Sequence, residues 1–372
     1  MLPALEGLYG NPSSIHQEGR RSRDALEGAR ADVARLISAE ASEIVFTSGG
    51  TESDLLGIVG AARAARETRR PARIVTSPVE HPAVFGACDL LRAEGFEISL
   101  VPVDARGRID LDDVKRACSS FPGSGPGSRS GSGIALASFA LANHELGNRY
   151  DVRAFAEITH AAGGLFHCDA VQAVGKIPVS VAGLGVDFLS LSAHKLHGPK
   201  GVGALWVRRG LDPIPLFPGG HQEKGRRAGT ENLAGALGFG AAARLAAAAD
   251  ETSLAALRDC LEARLLEIPG ARIHGDPEQR VPNTTNVAFA GAPGEWIVVG
   301  LDFAGVAAST GAACTSGSVE PSRVLLALGL DRTEAAQAVR FSLGRGNTQA
   351  EVDSVSTLVP EIVARVRAEQ RS

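Results

Sequence analysis

Seven short apolar runs, set between longer stretches of helical periodicity, constrain this chain more than any other feature. They are EIVF (43–46), RIVTS (73–77), ISLVPV (98–103), GIALASF (133–139), GLFHCDA (164–170), FLSLSA (188–193) and GALWV (203–207). Runs this short, rich in β-branched and small apolar residues and nearly free of charge, suit strands buried on both faces. Amphipathic stretches such as Asp110–Cys118 and Asp151–Ala162 lie between most of them. This alternation predicts an α/β fold, a largely parallel sheet covered by helices, and ligands in such sheets gather at the carboxyl ends of the strands.

Beyond the seventh run the pattern changes. An alanine-rich helical region from about Ala234 to Ile268 leads to a strand-like NVAFA, the small-residue run ASTGAACTSGS (308–318), a strand AVRFSL (338–343) and a last helix. That helix opens with Thr348 and Glu351 at capping-box spacing and lines Val352, Val355, Val359 and Val363 along one face. The expectation is a large domain over 1–245 and a smaller C-terminal α+β domain over 246–372. At 372 residues the chain exceeds one ordinary core, which agrees. The Gly/Ser-rich FPGSGPGSRSGSG (121–133) is expected to be a flexible surface loop.

Charge and cysteine usage exclude several classes. With 44% hydrophobic and 22% charged residues and a formal net charge of -4, the composition is that of a soluble globular protein with no call for nucleic acid. The basic clusters Arg20–Arg23 and Lys224–Arg227 are expected to be solvated faces. No membrane segment or secretory leader is visible, so the expected location is cytoplasmic. Five widely spaced cysteines, without C-x-x-C or H-E-x-x-H, predict reduced thiols and no metal site.

Candidate chemistry sits at the strand ends. SLSAHKLHGPKG (190–201) puts Lys195 at the end of a strand, flanked by Ser192 and His194. Desolvation there lowers an amine's pKa toward the range where it attacks a carbonyl; the alternative is a solvated lysine in a turn. HCDAVQAVGK (167–176) places Asp169 at the end of another strand, with Gln172 three residues on. Pyridoxal phosphate needs both, a lysine for its aldehyde carbon and a carboxylate that keeps its pyridine nitrogen protonated. Taken alone, Asp169 reads as an N-cap, the commoner role of a lone Asp at a strand end. In FTSGGTESDLLGI (46–58) a Ser-Gly-Gly-Thr turn precedes a helix starting near Glu52, and free N–H groups at such a start suit a phosphate. His81, in VEHPAV, follows a strand closely enough to lie over a cofactor ring or to shuttle protons, or else is a surface histidine.

These motifs, in this order and from YGNPSSIH at Tyr9 to RFSLGR ending at Arg345, resemble the cysteine desulfurases, the NifS/IscS-type members of the class V aminotransferases. The resemblance implies the fold type I, PLP-dependent transferase-like architecture. It implies that Lys195 bonds the cofactor, Asp169 faces its ring nitrogen and Gln172 its ring hydroxyl, while Gly50, Thr51, Ser192 and His194 hold its phosphate. It implies further that His81 stacks on the ring, that Thr230 reaches the phosphate from the other subunit of a homodimer, and that Arg340 grips the substrate carboxylate. Cys314 would take sulfur from L-cysteine as a persulfide and pass it to an acceptor protein, for iron–sulfur clusters or thio-modified RNA. A loop of Ser, Thr, Gly and Ala without bulky anchors suits such a travelling nucleophile.

The chain departs from the family's pattern in three places. His144 stands where the family carries an asparagine that contacts the cofactor ring oxygen, and an imidazole can donate the same bond. The chain begins close to GNPSS, without the family's first-strand Asn-Ala-Ala-Thr-Thr-like run, and ends at EQRS, without the tail some members use to dock a scaffold. The alternatives are a selenocysteine lyase or another class V lyase or transaminase, and a non-catalytic relative that acts as a binding partner.

Overall fold

The computed structural model describes residues 1–68, 72–119, 133–247, 252–311 and 321–370. The chain divides into two compact units: Met1–Val101, Leu111–Leu141 and Asp151–Ala249 form the first, and Pro102–Asp110, Ala142–Tyr150 and Asp250–Ser372 the second.

All seven apolar runs of the first unit form strands: β1 (Ile44–Thr47), β2 (Arg73–Thr76), β3 (Glu97–Leu100), β4 (Leu136–Ala140), β5 (Leu165–Asp169), β6 (Phe188–Ser192) and β7 (Gly203–Val207). They make one sheet in the order β1-β7-β6-β5-β4-β2-β3. Pairing is parallel from β3 across to β6, while β7 runs antiparallel to both β6 and β1. The carboxyl ends of β1, β4, β5 and β6 therefore share one edge with the amino end of β7. Here the fold is the α/β class that the alternation predicts. The third run is shorter than its apolar pattern, since β3 stops at Leu100. Pro102 has no N–H for a ladder, which bars the strand from running on to Val103.

Helices cover the sheet. Gly50–Leu55 continues through a π-turn at Leu56–Gly60 into Ala61–Glu67. Its buried Leu56, Ile58 and Val59 pack with Val45, Ile74, Leu136 and Phe188 of the strands. Helix Gln17–Leu36 lies against helix Leu233–Ala247, the first part of the alanine-rich region. A Cβ on Gly240 would meet Ala29 Cα at 2.9 Å, so small residues set that close approach.

In the second unit β8 (Ala271–His274), β9 (Thr284–Phe289) and β10 (Ala338–Ser342) form an antiparallel sheet, order β10-β9-β8. Helices Thr252–Leu266, Gly294–Phe303 and Gln349–Glu369 supply Leu265, Ile297, Leu301, Val359 and Val363 to a core with Val287, Phe289 and Val339. The capping box of the last helix is formed: Thr348 N–H donates to Glu351 Oε2 at 2.7 Å, and Glu351 N–H to Thr348 Oγ1 at 3.3 Å. No helix among the described residues is long and apolar enough to cross a membrane.

Candidate active site

Asp169 is the last residue of β5, in register with Ala140 of β4 on one side and Ser190 of β6 on the other. Its carboxylate is buried, and Oδ1 accepts the Val171 N–H at 2.9 Å. Among the described residues no hydrogen bond reaches the other oxygen. Burial raises the Asp169 pKa, while the Val171 N–H and the positive charges of His81, Lys195 and Lys176 pull it back. Those three side chains thus gather around one carboxylate.

Each of them is placed by a strand end. Lys195 is half-buried in the 3-10 turn Ala193–Leu196 that follows β6, and the turn ends at His197 in the left-handed region, φ 61°. Lys176 Nζ donates to Gln172 Oε1 at 2.6 Å, which leaves the Gln172 amide N–H groups as donors. His81 is the N-cap of helix Pro82–Ala93, where its Nδ1 accepts the Ala83 N–H at 3.1 Å; that bond assigns the ring proton of the neutral form to Nε2. Burial lowers the His81 pKa, the Lys195 charge adds to this, and the Asp169 charge opposes it.

A region of positive potential lies at the same edge. Ser192 Oγ is 2.8 Å from His194 Nδ1, and His194 is exposed. Its pKa is lowered by desolvation first and then by Lys195, Lys200, His81 and Lys176. The neighbouring helix starts at Gly50, two residues before Glu52, whose side chain turns back onto the preceding turn. Its Oε2 accepts the Ser48 N–H at 2.7 Å, and its Oε1 accepts from Arg227 Nε at 3.0 Å. The turn is closely walled: a Cβ on Gly50 would stand 3.0 Å from Val171 Cγ2, and one on Gly203 of β7 would stand 2.6 Å from the carbonyl carbon of Gly49. Thr51 and Thr230 are both exposed.

The basic cluster Lys224–Arg227 is a solvated face only in part: Lys224 is exposed, while Arg226 and Arg227 are half-buried and pair with Asp212 at 2.8 Å and with Glu52. Arg20, Arg21 and Arg23 are exposed.

In the second unit, Arg340 of β10 donates from Nη1 to the His144 carbonyl at 2.8 Å, and its N–H donates to Ser309 O at 2.6 Å. His144 is half-buried, with Nε2 3.6 Å from Glu145 Oε1. The Glu145 carboxyl, raised by burial, accepts from Ser322 Oγ at 2.5 Å. Cys314 and the residues 121–132 of the Gly/Ser-rich segment lie outside the described residues.

Sequence reasoning missed a buried polar layer beneath this edge. His167, two residues before Asp169 on β5, bridges Ser138 Oγ (2.8 Å) and Ser190 Oγ (2.9 Å), and its Nε2 is 3.7 Å from Asp54 Oδ1. Glu80 lies next to His81 and is 2% exposed. A polar residue inside an apolar strand run, as in LFHCD, was the available signal.

These features fit pyridoxal phosphate. A buried carboxylate with one oxygen left to accept suits a pyridinium N–H, a half-buried amine suits the aldehyde carbon, and a glycine-walled turn beside several cationic groups suits the phosphate.

Known proteins give the same answer. The aminotransferase class-V family matches residues 1–355. A cysteine desulfurase of Cereibacter sphaeroides is 50% identical, over 99% of this chain and 92% of that protein. Among solved structures a NifS-like protein superposes with TM-score 0.87 at 34% identity, covering 98% of this chain and 94% of its own. A structure described as SspA in complex with cysteine superposes with TM-score 0.78 at 30% identity, over 92% of each chain.

Proposed function

This chain belongs to the aminotransferase class-V family and, within it, to the cysteine desulfurases, and on that premise we propose how its residues remove sulfur from L-cysteine. The observation that carries the reading is the convergence of His81, Lys195 and Lys176 on the buried Asp169 at the carboxyl edge of the sheet. When bound there, pyridoxal 5'-phosphate supplies an electron sink that stabilises negative charge at the substrate's Cα.

Asp169 would accept the ring N–H through its unengaged oxygen, and Gln172 would donate to the ring hydroxyl. Gly50, Thr51, Ser192 and His194 hold the phosphate. Lys195 would hold the cofactor through its aldehyde carbon, and as a free amine its Nζ would take up the substrate's Cα proton. His81 would cover the ring, and its Nε2 carries a proton that it can exchange. Arg340 engages the substrate carboxylate with its planar fork, and His144 donates where the family uses an asparagine.

Cys314, as a thiolate, takes the sulfur atom of the substrate. A persulfide forms on Cys314, the carbon–sulfur bond breaks, and the remaining skeleton takes up a proton and leaves as L-alanine. We place the protein in the cytoplasm as a homodimer in which Thr230 of each subunit reaches the other's phosphate. Its exposed position supports this, as do the exposed Leu2 (69%), Leu5 (66%), Tyr9 (81%) and Ile15 (88%). An acceptor protein then receives the persulfide sulfur for iron–sulfur cluster assembly or thio-modification.

The test is to supply L-cysteine and L-selenocysteine side by side, with and without a thiol reductant, and to follow alanine. Alanine from L-cysteine, with sulfide released only when reductant is present, supports the desulfurase. Alanine from L-selenocysteine alone reassigns the protein to a selenocysteine lyase.

A further inference from the structure

We propose that Glu80 is a positioning residue that works as a neutral acid, stapling together the strand ends that carry His81 and Asp169 without placing a second negative charge beside Asp169. This rests on the proposed function for what His81 and Asp169 do, but its geometry stands independently. Oε1 of Glu80 is 2.6 Å from Ser77 Oγ, just past the end of β2, and Oε2 accepts the Ala140 N–H at 2.9 Å. Ala140 is the register partner of Asp169, and Leu141 N–H donates to the Asp169 carbonyl at 2.8 Å. On its other side Glu80 is bonded to His81, whose backbone opens helix Pro82–Ala93. One carboxyl group thereby joins β2, β4 and the His81 cap.

The electrostatics agree. Asp54, Glu80 and Asp169 are all buried near one another, and three neighbouring anions in such a place are not tolerated. Burial pushes the Glu80 carboxyl up to about 8, the Asp169 charge adding to the rise against the pull of Ser77 and the Ala140 N–H. Asp54 is also raised, by burial first and then by the Asp169 charge. Burial raises Asp169 too, but the Val171 N–H, His81, Lys195 and Lys176 favour its anion, whereas among the described residues no cation acts on Glu80 or Asp54. The titratable groups facing Glu80 are Asp169 and Cys168 of β5, Asp54 of the Gly50 helix, and Cys88 of helix Pro82–Ala93. Among the described residues no cation pairs with it.

The experiment compares wild type, Glu80→Gln and Glu80→Ala as full-length purified protein. Thermal midpoints are recorded from pH 5 to pH 9 after cofactor removal, and cofactor affinity and turnover are measured at pH 7. A carboxyl raised in the folded state binds more protons folded than unfolded, so wild type loses stability as pH rises from its ordinary range to about 8. Expected, then, is a midpoint difference between Glu80→Gln and wild type that grows across that window in favour of the variant and levels off above it. Glu80→Ala strands the Ala140 N–H and should weaken cofactor affinity about tenfold, and Glu80→Gln should restore it. A midpoint difference flat with pH, or a Glu80→Gln protein as impaired at pH 7 as Glu80→Ala, overturns the proposal. The melting comparison uses neither cofactor nor L-cysteine, so failure of the desulfurase reading registers separately, in the turnover arm.

Discussion

Removing Glu223 tests how the segment that carries Thr230 is tied to the sheet. Arg30 and Glu223 form a two-pronged ion pair, Nη1 to Oε2 at 2.6 Å and Nη2 to Oε1 at 2.8 Å, with side chains 8% and 2% exposed. Oε2 also accepts the Phe46 N–H of β1 at 3.0 Å, one residue before the strand ends at the glycine turn. Burial by itself would lower the Arg30 pKa, yet the Glu223 hydrogen bond and charge outweigh it and the net shift is upward. Glu223→Ala leaves a buried guanidinium and an orphaned N–H, and removal of one partner from such a pair costs about 3–5 kcal/mol. The lower end applies here, because Arg30 keeps the Ile44 carbonyl at 3.0 Å and Glu27 at 3.1 Å. Glu27 is 55% exposed and compensates little. Since residue 223 has φ 47° in either form, alanine adds no new backbone strain and the comparison isolates the carboxylate. Urea unfolding of wild type, Glu223→Ala and the double variant Arg30→Met/Glu223→Leu measures the effect, with most of the loss recovered in the double variant. A loss below about 1 kcal/mol for Glu223→Ala means that the pair behaves like a surface ion pair and refutes the reasoning.

Cys314→Ala should keep the yellow colour of the cofactor and lose sulfide release from L-cysteine; unchanged release excludes the persulfide role. Lys195→Ala should lose both the protein-bound cofactor absorbance and turnover, measured on the same preparation. Gly203→Ala puts a Cβ within 2.6–2.7 Å of Gly49 C, Gly49 Cα and Leu191 O, so the glycine turn must shift; cofactor retention should fall with a stability loss of about 1–3 kcal/mol, read by dialysis and melting. His167 and His274 are held neutral by burial, with pKa values lowered to about 3 and about 4. Unfolding lets both take up protons, so stability should fall as pH drops below about 6.5 and toward those values. In His167→Gln that acid limb should be shallower in a pH series of melting curves, and an unchanged slope counts against a neutral His167.

The placement of these residue types at strand ends was legible because it is local. A lysine just past a strand, an aspartate closing another and a Gly-Gly-Thr turn opening a helix each declare themselves within about ten residues. Glu80 and His167 did not, since neither a glutamate in the turn after a strand nor a polar residue in an apolar run says what it faces across the sheet. The edge strand β8 escaped for a related reason: ARIH is four residues long with only His274 fully buried, and such a run lacks the apolar block that marks a central strand. Nor do the short stretches 102–110 and 142–150, which cluster with the second unit, carry any shift in composition.

What the sequence alone determined is the alternation of buried strands and amphipathic helices, together with the residue types at each strand's end. Both follow from periodicity and propensity acting over neighbouring residues. The tertiary structure alone decided that the seven strands run in the order β1-β7-β6-β5-β4-β2-β3 with β7 reversed. That order brings Gly203 against Gly49 and Glu80 against Ala140, so it sets how closely the glycine turn is walled and which buried carboxyl groups meet. The physical reason is that strand order depends on long-range burial and pairing, and the proton a buried carboxyl holds depends on whatever charges that order brings within reach.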